Sequence, residues 1–141
     1  MKALSICQPW AFAILHGNKR VENRTWATSY RGPLLIHAGK SRQWFDCDSV
    51  GLVSHAAGRH ATPNAPGMHF GALVGVARLV ACAHVDHMPI EINVGDQRFV
   101  EGPLCWVLDD VREFANPIPW RGQQGLFDVP DEALPPEVRR G

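Results

Sequence analysis

The alternation of apolar and polar positions divides the chain into short elements. ALSI, near the start, reads as a first strand. QPWAFAILHG follows as a helix: Pro9 suits an early helical position, Gly17 suits the C-terminus, and Ala11, Ile14 and Leu15 carry the helical spacing. KRVENRTW alternates and holds Val and Thr, so it reads as a strand. ATSYRGP is a turn region. LLIHA is a buried strand, too short and too closely flanked by glycine for a helix. SRQWFDCDSVGLVSHAAG reads as a helix opened by Ser41 as N-cap. RHATPNAPGMH is a loop, dense in Pro, Gly and Asn. FGALVGVARLVACAHV is apolar and β-branched, a long strand bent at Gly71 or Gly75. VDHMPIEINVGDQRFVEGP is irregular, with room for a hairpin. LCWVLDDVREF is a strand, ANPIPWRGQQG a loop and LFDV a final strand. PDEALPPEVRRG is a polar, Pro-rich tail expected to fray.

That makes about six strands and two helices, with no internal repeat and no shift in composition. The expectation is one α+β domain over residues 1–141, with its core at about 4–129 and a tail at 130–141. Mixed strands with glycine bends and few helices point to a small β-barrel with helices on its outside.

The same periodicity places side chains. On a strand, alternate residues share a face. Glu22, Arg24 and Trp26 then share one face, and Val21, Asn23 and Thr25 the other. Val21 marks its own face as core. A carboxylate, a guanidinium and an indole are left together on the opposite face. Lys19 lies before them, at the turn, where parity does not apply. This grouping fits a polar pocket, and it fits a surface ion pair with Trp26 covering an apolar patch. Further along, His37 and Lys40 end an apolar strand, with Tyr30 and Arg31 before it. If that strand neighbours the previous one, its polar end reaches the same pocket. Otherwise His37 is a hydrogen-bonded core residue.

Composition changes the picture in one respect. The chain has 141 residues, 45% hydrophobic and 20% charged, as an ordinary globular domain does. Its net charge is zero, which argues against coating nucleic acid by charge alone. Yet residues 1–42 hold seven Lys and Arg against one acid, Glu22, so the remainder carries six net negative charges. A basic third suggests either a local anion site or neutralisation across the fold. No apolar run approaches the roughly 20 residues of a membrane span. The start lacks the pattern of a signal peptide, so a cytoplasmic protein is expected. Four scattered cysteines without a CxxC pair are expected to be reduced, with Cys7, Cys82 and Cys105 as small core residues.

A metal site is the obvious competitor to a polar pocket. CAHVDH offers Cys82, His84, Asp86 and His87 close together. A zinc site needs three or four converging ligands, and no second Cys/His pair with a typical spacing exists, so no metal is expected. There is no P-loop, GxGxxG after a strand, GxSxG elbow or HExxH, and no cofactor is implied. Five tryptophans stand among cations, as in base-stacking surfaces, and equally suit the core of a small domain.

Read together, LSICQPWAFAILHGNKRVENRTW, YRGPLLIHAGK, GALVGVARLVAC, WVLDD and PIPWRGQQGLFDV resemble the ASCH domain family of the PUA-like superfamily. The resemblance runs from about Leu4 to Val129. It implies a barrel of mixed strands with flanking helices and a cleft beside the barrel. It also implies that the G-x-K-x-x-E-x-R block, here Gly17, Lys19, Glu22 and Arg24, lines that cleft. The implied ligand is RNA, a nucleotide or a modified nucleoside.

Some small members of the family are amidohydrolases of N4-acetylcytidine, and others are single-strand ribonucleases or binding modules. The amidohydrolase members carry Lys-x-x-Thr, where this chain has Lys19 and Glu22. Thr25 is one residue past Arg24 and by parity faces away from Glu22.

In a binding site, Arg24 and Lys40 would hold phosphate, Trp10 or Tyr30 would stack, and Glu22 would take a base amino group. In a hydrolase, Glu22 would activate water, Lys19 or Arg24 would hold an oxyanion, and His37 would shuttle protons. A protein-interaction domain is the third reading. Turnover of acetylated or otherwise modified nucleosides, lost on replacing Glu22, separates the first two.

Overall fold

The computed structural model describes residues 1–139. The alternating runs form six strands: β1 (Lys2–Ile6), β2 (Val21–Arg24), β3 (Gly32–Ala38), β4 (Ala72–His84), β5 (Leu104–Pro119) and β6 (Leu126–Asp128). Three helices accompany them: α1 (Trp10–His16), α2 (Cys47–Ala57) and α3 (Pro136–Arg139). The strands form a single sheet in the order β2-β5-β4-β3-β1-β6. β1 runs parallel to β3, and every other pairing is antiparallel.

The sheet curls into a half-barrel. Its ladder between β4 and β5 shifts register three times, first between Leu73 and Gly75. A Cβ at Gly75 would lie 2.7 Å from the Arg112 carbonyl oxygen, so the bend depends on that glycine. The curl brings strands from opposite ends of the order together: Arg24 on β2 donates from Nη2 to the Ser5 carbonyl on β1, at 2.8 Å.

The concave face holds the main core. Leu4, Ile6, Leu34, Ile36, Val74 and Trp106 meet there, and α1 closes it with Ala11 and Ile14. Trp106 is fully buried, and its indole N–H donates to the Trp26 carbonyl at 3.1 Å, which satisfies the polar end of a large apolar side chain. The start of α1 is capped by the buried Gln8, whose Oε1 accepts from the Phe12 amide and whose amide donates to the His69 carbonyl. Gly17 ends α1 as the spacing predicts, with its N–H on the Ala13 carbonyl.

Five expectations need correction. Residues 41–46 are not helical. α2 begins at Cys47, and Asp46 is its N-cap, accepting from the Ser49 amide at 2.8 Å and the Ser49 hydroxyl at 2.9 Å. β2 stops at Arg24, so Trp26 leaves the alternation and packs edge-to-face on Trp106. ANPIP is strand rather than loop: Leu73 pairs with Ile118 and Ala72 with Pro119, and Ile118 packs on the convex-face cluster. The segment after residue 130 packs as well. Leu134 and Val138 are buried with Ala3, Leu35, Leu73 and Phe127, spaced so that one turn of chain presents both to the sheet. The irregular stretch before β5 forms two 3-10 turns, Val85–His87 and Gln97–Phe99, and no hairpin.

Candidate nucleotide-binding cleft

The chain leaves α1 at Gly17 and reverses at Asn18, which adopts a left-handed backbone with φ 55°. This turn carries Lys19 inward. Its side chain is only 2% exposed. Burying an ammonium group is unfavourable unless it is paired and hydrogen-bonded. Lys19 Nζ donates to the Val21 carbonyl and lies 3.7 Å from Glu22 Oε1. It also sits 5.9 Å from the Trp10 ring centre and 5.5 Å from that of Phe99. Loss of water pulls its pKa below the ordinary lysine value, and the Glu22 carboxylate acts in the opposite sense.

Glu22 is shared. Its other oxygen, Oε2, lies 2.9 Å from Arg24 Nη2, the same nitrogen that reaches Ser5. Arg24 Nε is buried and has no protein partner among the described residues. The three charged groups therefore form one line, Lys19–Glu22–Arg24, on the floor of a cleft of about 460 Å³. That volume falls in the range of small-molecule sites.

Two separate segments wall the cleft. The first is the turn before α2 and the helix itself. It contributes Trp44, Asp48 and Leu52. Trp44 stands at the mouth, 44% exposed, with its ring edge-on to Trp10 at 6.3 Å. The second is the loop of residues 93–102, which contributes Arg98, Phe99 and Glu101. Asn23 pins this loop: its amide donates to the Phe99 carbonyl, and its Oδ1 accepts from the Glu101 and Gly102 amides at 3.0 and 2.9 Å. Arg98 ties the walls together, bonding Asp96 on its own loop and His55 Nδ1 on α2. A pocket held this way meets a ligand with little rearrangement.

The structure brings four of the seven expected site residues into this cleft: Trp10, Lys19, Glu22 and Arg24. It leaves three outside. The Tyr30 hydroxyl donates to the Pro33 carbonyl within its own turn. His37 is buried, with Nδ1 on the Ser5 hydroxyl at 2.9 Å and Nε2 on the Trp120 carbonyl at 2.7 Å. A carbonyl only accepts, so Nε2 carries the proton and Nδ1 accepts from Ser5. Burial holds the pKa of His37 below the ordinary histidine value. Lys40 faces a neighbouring cavity together with His37. Thr25 is exposed and takes no part in the cleft. The His84 and His87 rings lie 5.7 Å apart and tilted on the surface, and among the described residues no three of His, Cys, Asp and Glu converge as metal ligands. All four cysteines are free thiols. No described helix is long and apolar enough to cross a membrane.

A family model for the ASCH domain matches residues 4–118. The chain belongs to the ASCH domain family. Among known proteins, activating signal cointegrator 1 of Homo sapiens is 54% identical over 35 residues, which are 25% of this chain and 6% of that protein. The Mus musculus protein of the same name is 51% identical over 39 residues, 28% of this chain and 7% of its own length. The match thus spans less than a tenth of these relatives. Among solved structures, ASCH from Zymomonas mobilis has a TM-score of 0.53 at 17% identity, covering 94% of this chain and 89% of that one. A single-residue variant of that ASCH protein gives the same score and identity over 94% and 91%. At this identity the likeness is one of fold.

Sequence reasoning about the ASCH block missed both walls. Trp44, Arg98, Phe99 and Glu101 come from stretches with no periodicity to orient them. Trp44 had one usable signal: a large aromatic in a charged, polar stretch just before a helix cap, where a core role is hard to arrange.

Proposed function

We propose that the cleft binds the base of an RNA nucleotide or of a modified nucleoside. The observation that carries this reading is the buried Lys19–Glu22–Arg24 line in a cleft that Trp10, Trp44 and Phe99 also line. A nucleobase needs a flat apolar surface and a few fixed polar partners. The indoles offer the surface. Glu22 accepts from an exocyclic amino group, and the part-exposed guanidinium of Arg24 donates to a base carbonyl or a phosphate oxygen. The ion pairs orient these groups before the ligand arrives. Trp44 at the mouth supplies an optical probe. Titration with cytidine, adenosine and their monophosphates is expected to quench tryptophan fluorescence saturably, and Glu22→Gln to weaken binding of the amino-bearing bases about tenfold, about 1.4 kcal/mol. Absence of binding to all four at millimolar concentration overturns the reading.

A second reading, hydrolysis of an N-acylated nucleoside or of single-stranded RNA, draws on the place of the buried Lys19 beside Glu22. In it, Glu22 takes a proton from water, the hydroxide adds to the acyl carbon, and Lys19 holds the oxyanion. The amide C–N bond then breaks, and the leaving amine takes up the proton. Acetate release from N4-acetylcytidine, or cleavage of a labelled oligoribonucleotide, supports it if Glu22→Gln binds the substrate without turnover. Binding without turnover by the unmodified protein leaves the binding reading alone.

A further inference from the structure

The cleft does not end at Arg24. Ser5 and Arg24 line it and also line a second cavity with Trp26, Gln123 and Gln124. Ser5, Gln123 and Gln124 in turn line a third with Lys40, Trp120 and Arg121. The three cavities adjoin through these shared residues and make one series. Its charge changes along the way. The cleft mixes Lys19, Arg24 and Arg98 with Glu22, Asp48 and Glu101, whereas the arm beyond it holds Arg24, Lys40 and Arg121 and no carboxylate. Lys40 and Arg121 are exposed and take part in no ion pair among the described residues.

The arm is also built rather than incidental. Gly71 has φ +65°, and a Cβ there would lie 2.7 Å from Lys40 Cε, so the lysine stem lies in the notch that the missing side chain leaves. A Cβ at Gly122 would meet the His37 ring at 2.8 Å and Ser5 Oγ at 3.0 Å, so the chain beside Arg121 is pressed against both. The hydrogen bond from His37 Nε2 to the Trp120 carbonyl holds that loop from below.

We propose that the arm takes the phosphodiester backbone of a single RNA strand running out of the cleft, with Lys40 and Arg121 on the phosphates next to the nucleotide held at Glu22. This rests on the reading that the cleft takes a nucleotide, and it selects a polymer over a free nucleoside. A track of cations with flanking aromatics and no acids is what single-stranded binding uses.

The test is calorimetric titration with cytidine and the ribo-tetranucleotide CpCpCpC, on the unmodified protein and on Lys40→Gln/Arg121→Gln. The tetranucleotide is expected to bind at least about tenfold more tightly than cytidine. The double variant should leave cytidine unchanged and remove that gain. The slope of log affinity against log salt should also fall by about 1 to 2, since each single-strand phosphate contact contributes roughly 0.7. Lys40→Arg/Arg121→Lys should retain the gain, which separates lost charge from a damaged fold. If length adds nothing, or if the double variant keeps the gain, the arm is overturned while the cleft stands. If the tetranucleotide binds through Lys40 and Arg121 but cytidine does not bind at all, the arm stands and the cleft reading falls. If neither ligand binds, both fall.

Discussion

Two arginine–carboxylate pairs in this molecule share their spacing and their length. Glu22 and Arg24 lie two residues apart on β2 and meet at 2.9 Å; Asp110 and Arg112 lie two apart on β5 and also meet at 2.9 Å. Their surroundings differ. The first pair has side chains 11% and 23% exposed, the second 48% and 57%. Around Asp110 and Arg112, water competes for every contact, and the pair has little to contribute. Around Glu22, Lys19 and Arg24 have replaced much of the water, so each charge depends on the next. Spacing on a strand creates the pair in both places. Burial by segments remote in sequence, residues 44–52 and 93–102, turns one of them into the floor of a cleft.

The largest expected effect comes from taking the buried carboxylate away. Glu22→Ala leaves Lys19 and Arg24 facing each other without a counter-charge, and urea unfolding at pH 7 should show a loss of about 3–5 kcal/mol. A loss below about 1 kcal/mol would mean that the buried line behaves like a surface pair.

Next is Arg24→Lys, which keeps the charge and removes the fork. Nucleotide binding should weaken by about 1–3 kcal/mol in a calorimetric titration, while Arg112→Lys leaves it unchanged. Equal effects at the two arginines would erase the contrast between them.

A smaller effect should appear in the pH dependence of stability. The folded pKa of Lys19 is lowered, so on alkaline titration the folded protein releases that proton before the unfolded chain does. Between the folded value and about 10.4, the unfolded state binds more protons, and this group's contribution to stability rises with pH. Cys105 and Tyr30, whose folded pKa values are raised by burial, act in the opposite sense. The Lys19 effect is therefore read as the difference between the unmodified protein and Lys19→Met, and parallel pH curves would refute it. The smallest change is expected from Asp110→Asn, which removes the charge and keeps a side chain that tolerates the left-handed backbone there (φ 48°), within about 0.5 kcal/mol in a thermal melt and without effect on ligand binding.

The sequence disclosed the strands well where apolar runs marked them. β1, β3 and β4 are where apolar runs placed them, and the family block identified the fold. The parity of Val21 against Glu22 and Arg24 located the floor of the cleft. What stayed hidden depends on contacts between distant segments. Ser41 and Asp46 are both good N-caps, and nothing local says that residues 41–46 turn so that Trp44 reaches Trp10. Pro117 and Pro119 argue against strand, yet Ile118 between them gains more from burial on the convex face than the ladder loses in donors. His37 and Lys40 end the strand as expected, but the sheet order sends them to the arm instead of the cleft.

The loop pinned by Asn23 has a consequence for redesign. β2 is an edge strand, and residues 93–102 cover it, through Asn23 and through a bridge between Lys19 and Gly95. The opposite edge, β6, is only three residues long. Such edges give an incoming strand little to add to. Rewriting residues 93–102 to change what the cleft accepts would therefore strip the cover from β2 and invite self-association through it. Selectivity at this wall and resistance to aggregation are coupled, and variants of the loop need to be screened for both.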